Sequence, residues 1–360
     1  MILVCIISLT GCDDEHRYTV GGSNIVIENN AKNTPGGQSG NGGISIEILT
    51  GTVDKKETED ISAAGSDEDA AAAADDEALP ETQSEEDDEE STATEETAVE
   101  ETAATETPVV AGAVEQVGFD SSWEYAGFSK INSGTATMYR APDNRKNVVI
   151  AVNAGHGTKG GQKVKTQCHP DGSPKVTGGS TSAGAIEATA VSGGMTFNNG
   201  SSEASVVLRV AKLLKDRLIA NGYDVLMIRD GDDVQLDNVA RTVMANNMAA
   251  CHIALHFDGD GLAYDKGCFY ISTPDGLKGM EPVASHYQEH EALGSSLIAG
   301  LKEAGCKING SGKMAIDLTQ TSYSTKPSVD IELGNQTSAT DDASLTKLAD
   351  GLLLGIQKMY

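Results

Sequence analysis

From residue 147 onward, fully apolar runs alternate with stretches of helical period. NVVIAV (147–152) is a continuous apolar run, the pattern of a strand covered on both faces. After residue 202 the period changes. Val207, Val210, Ala211, Leu214 and Leu218 recur at helical spacing, Ser201-Ser202 offers a cap, and Asn221-Gly222 stops the helix. YDVLMI (223–228) is the next strand, and 233–248 reads as a helix with Leu236, Val239, Ala240, Val243 and Met244 inward. CHIALH (251–256) and GCFYIS (267–272) are strands and 282–304 is helical. SVDIEL (328–333) is a strand, and 341–359 is a closing helix with Leu345, Leu348, Leu352 and Ile356 inward. This β–α order predicts an α/β fold, a twisted and mostly parallel sheet with helices on both faces. Ligands of such sheets bind at the carboxyl ends of the strands.

One stretch breaks the rhythm. Residues 158–202, between the first strand and the first helix, are rich in Gly, Ser and Thr and show no helical period. A connection of that length in a compact domain is expected to serve as a lid or a binding loop.

Upstream, the pattern weakens. The aromatics Trp123, Tyr125, Phe128 and Tyr139 concentrate in residues 119–140, so 115–146 is expected to be an extension that packs onto the domain that follows, 147–360. Residues 18–49 are Gly/Asn-rich with two β-like runs, NIVIE and ISIEIL, readable as a small hairpin or as nothing stable. Charge then alters the picture. The formal net charge is −28, and residues 57–106 hold 21 Asp and Glu with no Lys or Arg, which leaves −7 for the rest. Such a segment cannot bury enough apolar surface to offset its ordering entropy. Residues 13–114 are therefore expected to be a disordered, acidic linker. With no basic patch to offset this acidity, nucleic acid is excluded as a partner.

The first twelve residues, MILVCIISLTGC, form an apolar run too short to span a bilayer. Leu9-Thr10-Gly11-Cys12 before the polar DDEHR resembles a bacterial lipobox, in which the cysteine is lipidated after export. No Lys or Arg precedes the run, as one would in a signal peptide, and a start codon placed late in the gene accounts for that. The leading expectation is an exported lipoprotein anchored in the membrane through Cys12. A plain secretory signal and a cytosolic chain are the other readings. Four further cysteines, Cys168, Cys251, Cys268 and Cys306, lack CxxC spacing. Cys251 and Cys268, on successive predicted strands, are candidates for a disulfide or for two buried free thiols.

The candidate chemistry sits at element ends. His156 follows the first strand in AGHG, His256 ends CHIALH before FDGDG, Glu203 opens a helix, and Glu332 lies late in SVDIEL. Hydrolysis at a zinc ion needs three N/O ligands, an open position for water and a nearby carboxylate that is not a ligand. Two His and two Glu supply that set. Each alone has a plainer reading, Glu203 as a complement to the helix dipole and a lone His as a satisfied polar residue. Glu332 is harder to dismiss, because Val329, Ile331 and Leu333 alternate with Asp330 and Glu332 and a buried carboxylate needs a partner. His252 and His256 are four apart on a strand, about 13 Å at 3.3 Å per residue, too far to share a metal. His252 is read as structural, His169 as a loop residue, and Glu187 as a rival to Glu203 with no helix to hold it.

The segments VVIAVNAGHG, Glu203 with NGYDVLMIRDGDD, LDNVARTVMANN, IALHFD and VDIELGNQTS, in that order, resemble the zinc-dependent N-acetylmuramoyl-L-alanine amidases of the parallel-sheet α/β type. The resemblance implies a peptidoglycan hydrolase that cleaves the amide between N-acetylmuramic acid and L-alanine. It implies Zn2+ held by His156, Glu203 and His256, with Glu332 as the catalytic base and peptidoglycan as the partner. Asp330, on the Glu332 face, is a candidate to tune the site. Asn153 and Asp258 depart from the acidic residue and the Asn usual in the family, as does the length of 158–202. Another zinc peptidase on a similar sheet, or a non-catalytic wall-binding lipoprotein, are the alternative readings.

Overall fold

The computed structural model of the chain describes residues 15–20, 23–28, 45–49 and 111–360. Cys12 and the acidic run 57–106 lie outside these residues. The chain divides into two compact units, Met1–Ala98 and Val99–Tyr360. In the first, β1 (Glu15–Val20), β2 (Ser23–Glu28) and β3 (Ser45–Leu49) pair antiparallel in that order. The runs NIVIE and ISIEIL supply its second and third strands.

The second unit begins with β4 (Val114–Gly118), β5 (Thr135–Tyr139) and β6 (Val149–Ala154). A small antiparallel pair follows, β7 (Lys165–Gln167) with β8 (Glu187–Thr189), then α1 (Glu203–Ala220), β9 (Asp224–Met227) and α2 (Asn238–Met248). Next come β10 (Cys251–Asp258), β11 (Cys268–Ser272), α3 (Val283–Glu303) and β12 (Ile308–Ala315). The last elements are α4 (Thr319–Ser322), β13 (Ser328–Asn335) and α5 (Asp342–Ile356). The eight-stranded sheet runs β12-β11-β13-β10-β6-β9-β5-β4. Its centre, β13-β10-β6-β9, is parallel, and antiparallel pairings occur at β11/β13, β5/β9 and β4/β5.

The strand alternation decides what lies on each face. Ile150, Val152, Ile253, Leu255, Val329 and Ile331 join Val207, Leu214, Leu297 and Leu352 in one core, under α1, α3 and α5. Each such side chain contributes about 1.5–3 kcal/mol when fully buried. Ala151, Leu226 and Ile228 face the other way and pack with Leu236, Ala240 and Met244 around α2. The residues between the first-face positions, His252, Ala254 and His256 on β10 and Asp330 and Glu332 on β13, therefore turn toward the α2 side.

Helix α2 starts at Asn238, five residues later than the periodicity predicts. Asp237 is its cap: Oδ1 accepts from the Ala240 N–H at 2.8 Å, and Oδ2 accepts from the N–H groups of Lys130 and Ile131 at 2.6 and 2.8 Å. The extension thus pins the start of the helix, and it also supplies β4 and β5. Strand β12 gives no sequence signal because it is an exposed edge with sequence INGSGKMA and no sustained alternation.

Candidate active site

Three elements end at one point. His156 lies just past β6, His256 near the end of β10, and Glu203 at the first turn of α1. His156 Nε2 is 2.8 Å from Glu203 Oε1, His256 Nδ1 is 3.1 Å from the same oxygen, and the two nitrogens are 3.0 Å apart. Four ligands about 2.0–2.1 Å from a tetrahedral ion would stand about 3.3 Å from one another, so the triangle is close to what one ion needs. Glu332 faces His256 directly in the β10/β13 register and lines the same cavity of about 670 Å³.

Surrounding groups fix which atoms point inward. His156 Nδ1 is 2.9 Å from the Ser192 carbonyl, which only accepts, so the proton sits on Nδ1 and Nε2 presents its lone pair. His256 Nε2 faces Asp330 Oδ2 at 3.6 Å, which leaves Nδ1 for the shared centre. Glu203 Oε2 accepts from the Met195 N–H at 2.8 Å and Oε1 from the Phe257 N–H at 3.0 Å. Two glycines make room. A Cβ on Gly155 would lie 2.2 Å from His256 Cε1, and one on Gly194 (φ +80°) 2.9 Å from His156 Cδ2.

The electrostatics favour positive charge at this point. Burial opposes ionisation of Glu203, yet the two imidazoles outweigh it and hold the carboxyl far below its usual range. Burial also opposes charge on His256, but Asp330, Glu203 and Glu332 push it up to about 10. Burial, then the charge of Asp330, raises the Glu332 carboxyl well above its ordinary value. Asp330 Oδ1 and Glu332 Oε2 are buried without a hydrogen-bond partner. Such a pocket stabilises positive charge, and its two nitrogens and one carboxylate oxygen suit a divalent ion with open positions.

Residues 150–355 match the sequence profile described as N-acetylmuramoyl-L-alanine amidase. The chain belongs to the N-acetylmuramoyl-L-alanine amidase family. Among solved structures, the amidase Ami1 of Mycobacterium smegmatis is 17% identical, matches 60% of this chain and 98% of its own, and gives a TM-score of 0.50. Ami1 of Mycobacterium abscessus is 20% identical over 59% of this chain and 98% of its own, with a TM-score of 0.47. The CwlV catalytic domain of Bacillus (Paenibacillus) polymyxa var. colistinus is 17% identical over 59% and 97%, with a TM-score of 0.41. No curated protein matches the chain by sequence.

The amidase holds its first histidine in a strained turn. His156 has φ +64° and Gly157 φ +69°, a left-handed pair that is unfavourable for a non-glycine residue. Two buried arginines hold it. Arg229 Nε and Nη2 donate to the carbonyls of Ala154 and Gly155 at 3.0 and 2.9 Å, and Arg241 Nη2 donates to that of His156 at 2.7 Å. Burial lowers them to about 10 and about 9, the latter helped by the neighbouring Arg229 charge, so both stay charged at neutral pH. Arg241 also donates to Asn153 Oδ1 at 3.0 Å, so an amide serves where an acid is usual. Sequence reasoning saw these arginines only as motif letters. The usable signal was an arginine inside the apolar helical run NVARTV.

The rest of 158–202 is ordered. His169 Nε2 and the Val176 N–H bind the Asp317 carboxylate at 2.9 and 2.7 Å, and Lys175 Nζ reaches both its carboxylate and its carbonyl. Ser173 Oγ lies 2.9 Å from His169 Nδ1. Although Ser, His and Asp occur in sequence here, His169 and Asp317 are 0% and 1% exposed and the chain of bonds is a clamp. Glu187 is exposed on β8, and His252 is buried, its nitrogen 3.4 Å from Ser328 Oγ. Neither belongs to the His156 cluster.

Proposed function

We propose that this peptidoglycan amidase cleaves the amide between the lactyl group of N-acetylmuramic acid and L-alanine with zinc held by His156 Nε2, Glu203 Oε1 and His256 Nδ1. The observation that carries this reading is the convergence of those three atoms within 3.1 Å of one another, with Glu332 opposite His256. Zinc there supplies a Lewis acid for the scissile carbonyl and water acidic enough to ionise near neutrality. Glu332 takes the proton of the attacking water and delivers it to the leaving alanine nitrogen. A carboxylate made more basic by burial is suited to that task at neutral pH. The Asp330 carboxylate steadies the His256 ring by charge, its Oδ2 3.6 Å from Nε2, and the Ser192 carbonyl accepts from His156 Nδ1. Substrate enters the cavity between the metal ligands and the wall made by 158–202, where Gln162, Ser180, Thr181 and Gln320 offer neutral hydrogen-bonding groups.

Acting on peptidoglycan places the enzyme outside the cytoplasm. In this reading lipid on Cys12 anchors it, and the acidic 13–114 segment tethers the catalytic domain. A flexible coil of about 55 residues, the scale of its acidic run, reaches roughly 40 Å, and like charges extend it.

The test is the full-length chain on purified peptidoglycan, with fragments followed by mass spectrometry, with and without a zinc chelator and beside Glu332→Gln. New L-alanine amino termini that need both zinc and Glu332 are expected. Cleavage elsewhere in the stem would move the enzyme to the peptidases, and tight wall binding without cleavage would make it a scaffold.

A further inference from the structure

Away from the His–Glu site, two thiols meet at the far edge of the sheet. Cys268 opens β11, is 2% exposed, and its Sγ donates to the Leu333 carbonyl at 3.3 Å. Cys306 follows α3 and is half-buried, its Sγ donating to the Lys347 carbonyl at 3.8 Å. Their backbones are tied: the Cys268 N–H donates to the Lys307 carbonyl at 2.8 Å, and Cys268 pairs with Ile308 in the β11/β12 ladder. Both are free thiols, and both line one cleft of about 240 Å³. Cys251, the other sequence candidate for pairing with Cys268, is a buried free thiol on β10, with β13 between it and β11.

We propose that Cys268 and Cys306 form a disulfide by exchange with an oxidised dithiol carrier of the exported compartment. The compartment rests on the peptidoglycan reading above. Cys306 is the more exposed of the pair, and its contact with Cys268 favours its thiolate. The Cys306 thiolate attacks one sulfur of the carrier disulfide, forming a mixed disulfide and releasing the other carrier sulfur as a thiol. Cys268 then loses its proton and displaces the second carrier thiol. Two protein thiols are oxidised to one S–S bond, one carrier disulfide is reduced to two thiols, and both protein protons end on the carrier.

The bond would close a loop spanning β11 and α3. Phe269, next to Cys268, is the antiparallel partner of Glu332 on β13, so the staple holds the strand that supports the proposed base. Cys251 does not compete, because burial pushes its thiol up to about 12 and leaves almost no thiolate.

The purified full-length chain is exposed to oxidised glutathione, alkylated in denaturant, digested and mapped by mass spectrometry. No cleavage of peptidoglycan is read, so the outcome is independent of the zinc proposal. The expected result is one linked pair of peptides carrying Cys268 and Cys306, with Cys168 and Cys251 alkylated. Reduction should lower the melting midpoint by roughly 5–15 °C, and Cys306→Ser should abolish that shift. Full alkylation of Cys268 and Cys306 after oxidation, or linkage of either to another cysteine, would overturn the proposal. So would a redox shift of the midpoint that survives in Cys306→Ser.

Discussion

The strand ends that carry His156 and His256 and the 158–202 connection between them are built on different principles. At the strand ends, parallel register sets the geometry, with Arg229 and Arg241 holding the His156 turn: His256 stands opposite Glu332, and the Gly155 N–H is tied to the Leu255 carbonyl. The connection has almost no sheet of its own. It is held by polar contacts along its length, chief among them the Asp317 clamp in its middle and the 192–195 turn near its end. Both regions nevertheless serve one site, because Ser192 orients His156 and the Met195 N–H orients Glu203. The sheet aims the proposed ligands, and the connection orients them.

The largest effect should come from the sheet side. Glu332→Gln removes the proton acceptor and nothing else, and turnover on peptidoglycan should fall by about 10²–10⁴-fold with zinc retained. Activity above that range would mean another group takes the proton. On the connection side, Gly194→Ala puts a methyl against His156 and Glu203 at a left-handed position. Zinc affinity, read by chelator competition, should fall by about 10–100-fold, as for the loss of a group that orients a ligand. Unchanged affinity would show that the turn is only a wall. Asp330→Asn sharpens the contrast within β13. It weakens the hold on the His256 ring, and zinc affinity should drop by about 10-fold while the position of the base is kept.

How far these regions could be read in the sequence follows from the same difference. Period-two alternation in SVDIEL and the apolar run of NVVIAV state which side chains face which way, so the α/β order and the positions of His156, His256 and Glu332 were legible. The cap Ser202 likewise announced α1 at Glu203. The clamp was not legible, since His169, Lys175 and Asp317 are separated by up to 148 residues and carry no shared period. For the same reason α2 was drawn too early, because the contact of Asp237 with residues 129–131 is tertiary. Edge strands β4 and β12 bury too little on one face to write an alternating pattern.

The clamp gives the smaller predictions. Asp317→Asn leaves the buried Lys175 ammonium facing a neutral group, at a cost of about 3 kcal/mol, and the melting midpoint should fall by roughly 6–12 °C. An unchanged midpoint would mean that 158–202 does not need its clamp. Acid should act through the same carboxylate. Burial opposes its ionisation, but His169, the Val176 N–H and Lys175 outweigh burial and hold Asp317 below its ordinary value of 3.8. The unfolded chain therefore binds this proton first on acidification. The stabilisation is fully present above about pH 4 and is lost as pH falls through the lower folded value. Thermal melts of the wild type and Asp317→Asn across that window should converge toward low pH, and a constant gap would remove Asp317 from the acid response.

Metal content tests the central claim most directly. The full-length wild type, Glu332→Gln and His156→Ala would be dialysed against zinc-free buffer and analysed for bound zinc and for folding by circular dichroism. The account predicts one tightly held zinc per chain in the wild type and in Glu332→Gln, and none in a folded His156→Ala. Zinc retained by His156→Ala, or a wild type that cleaves peptidoglycan with no metal bound, would contradict it.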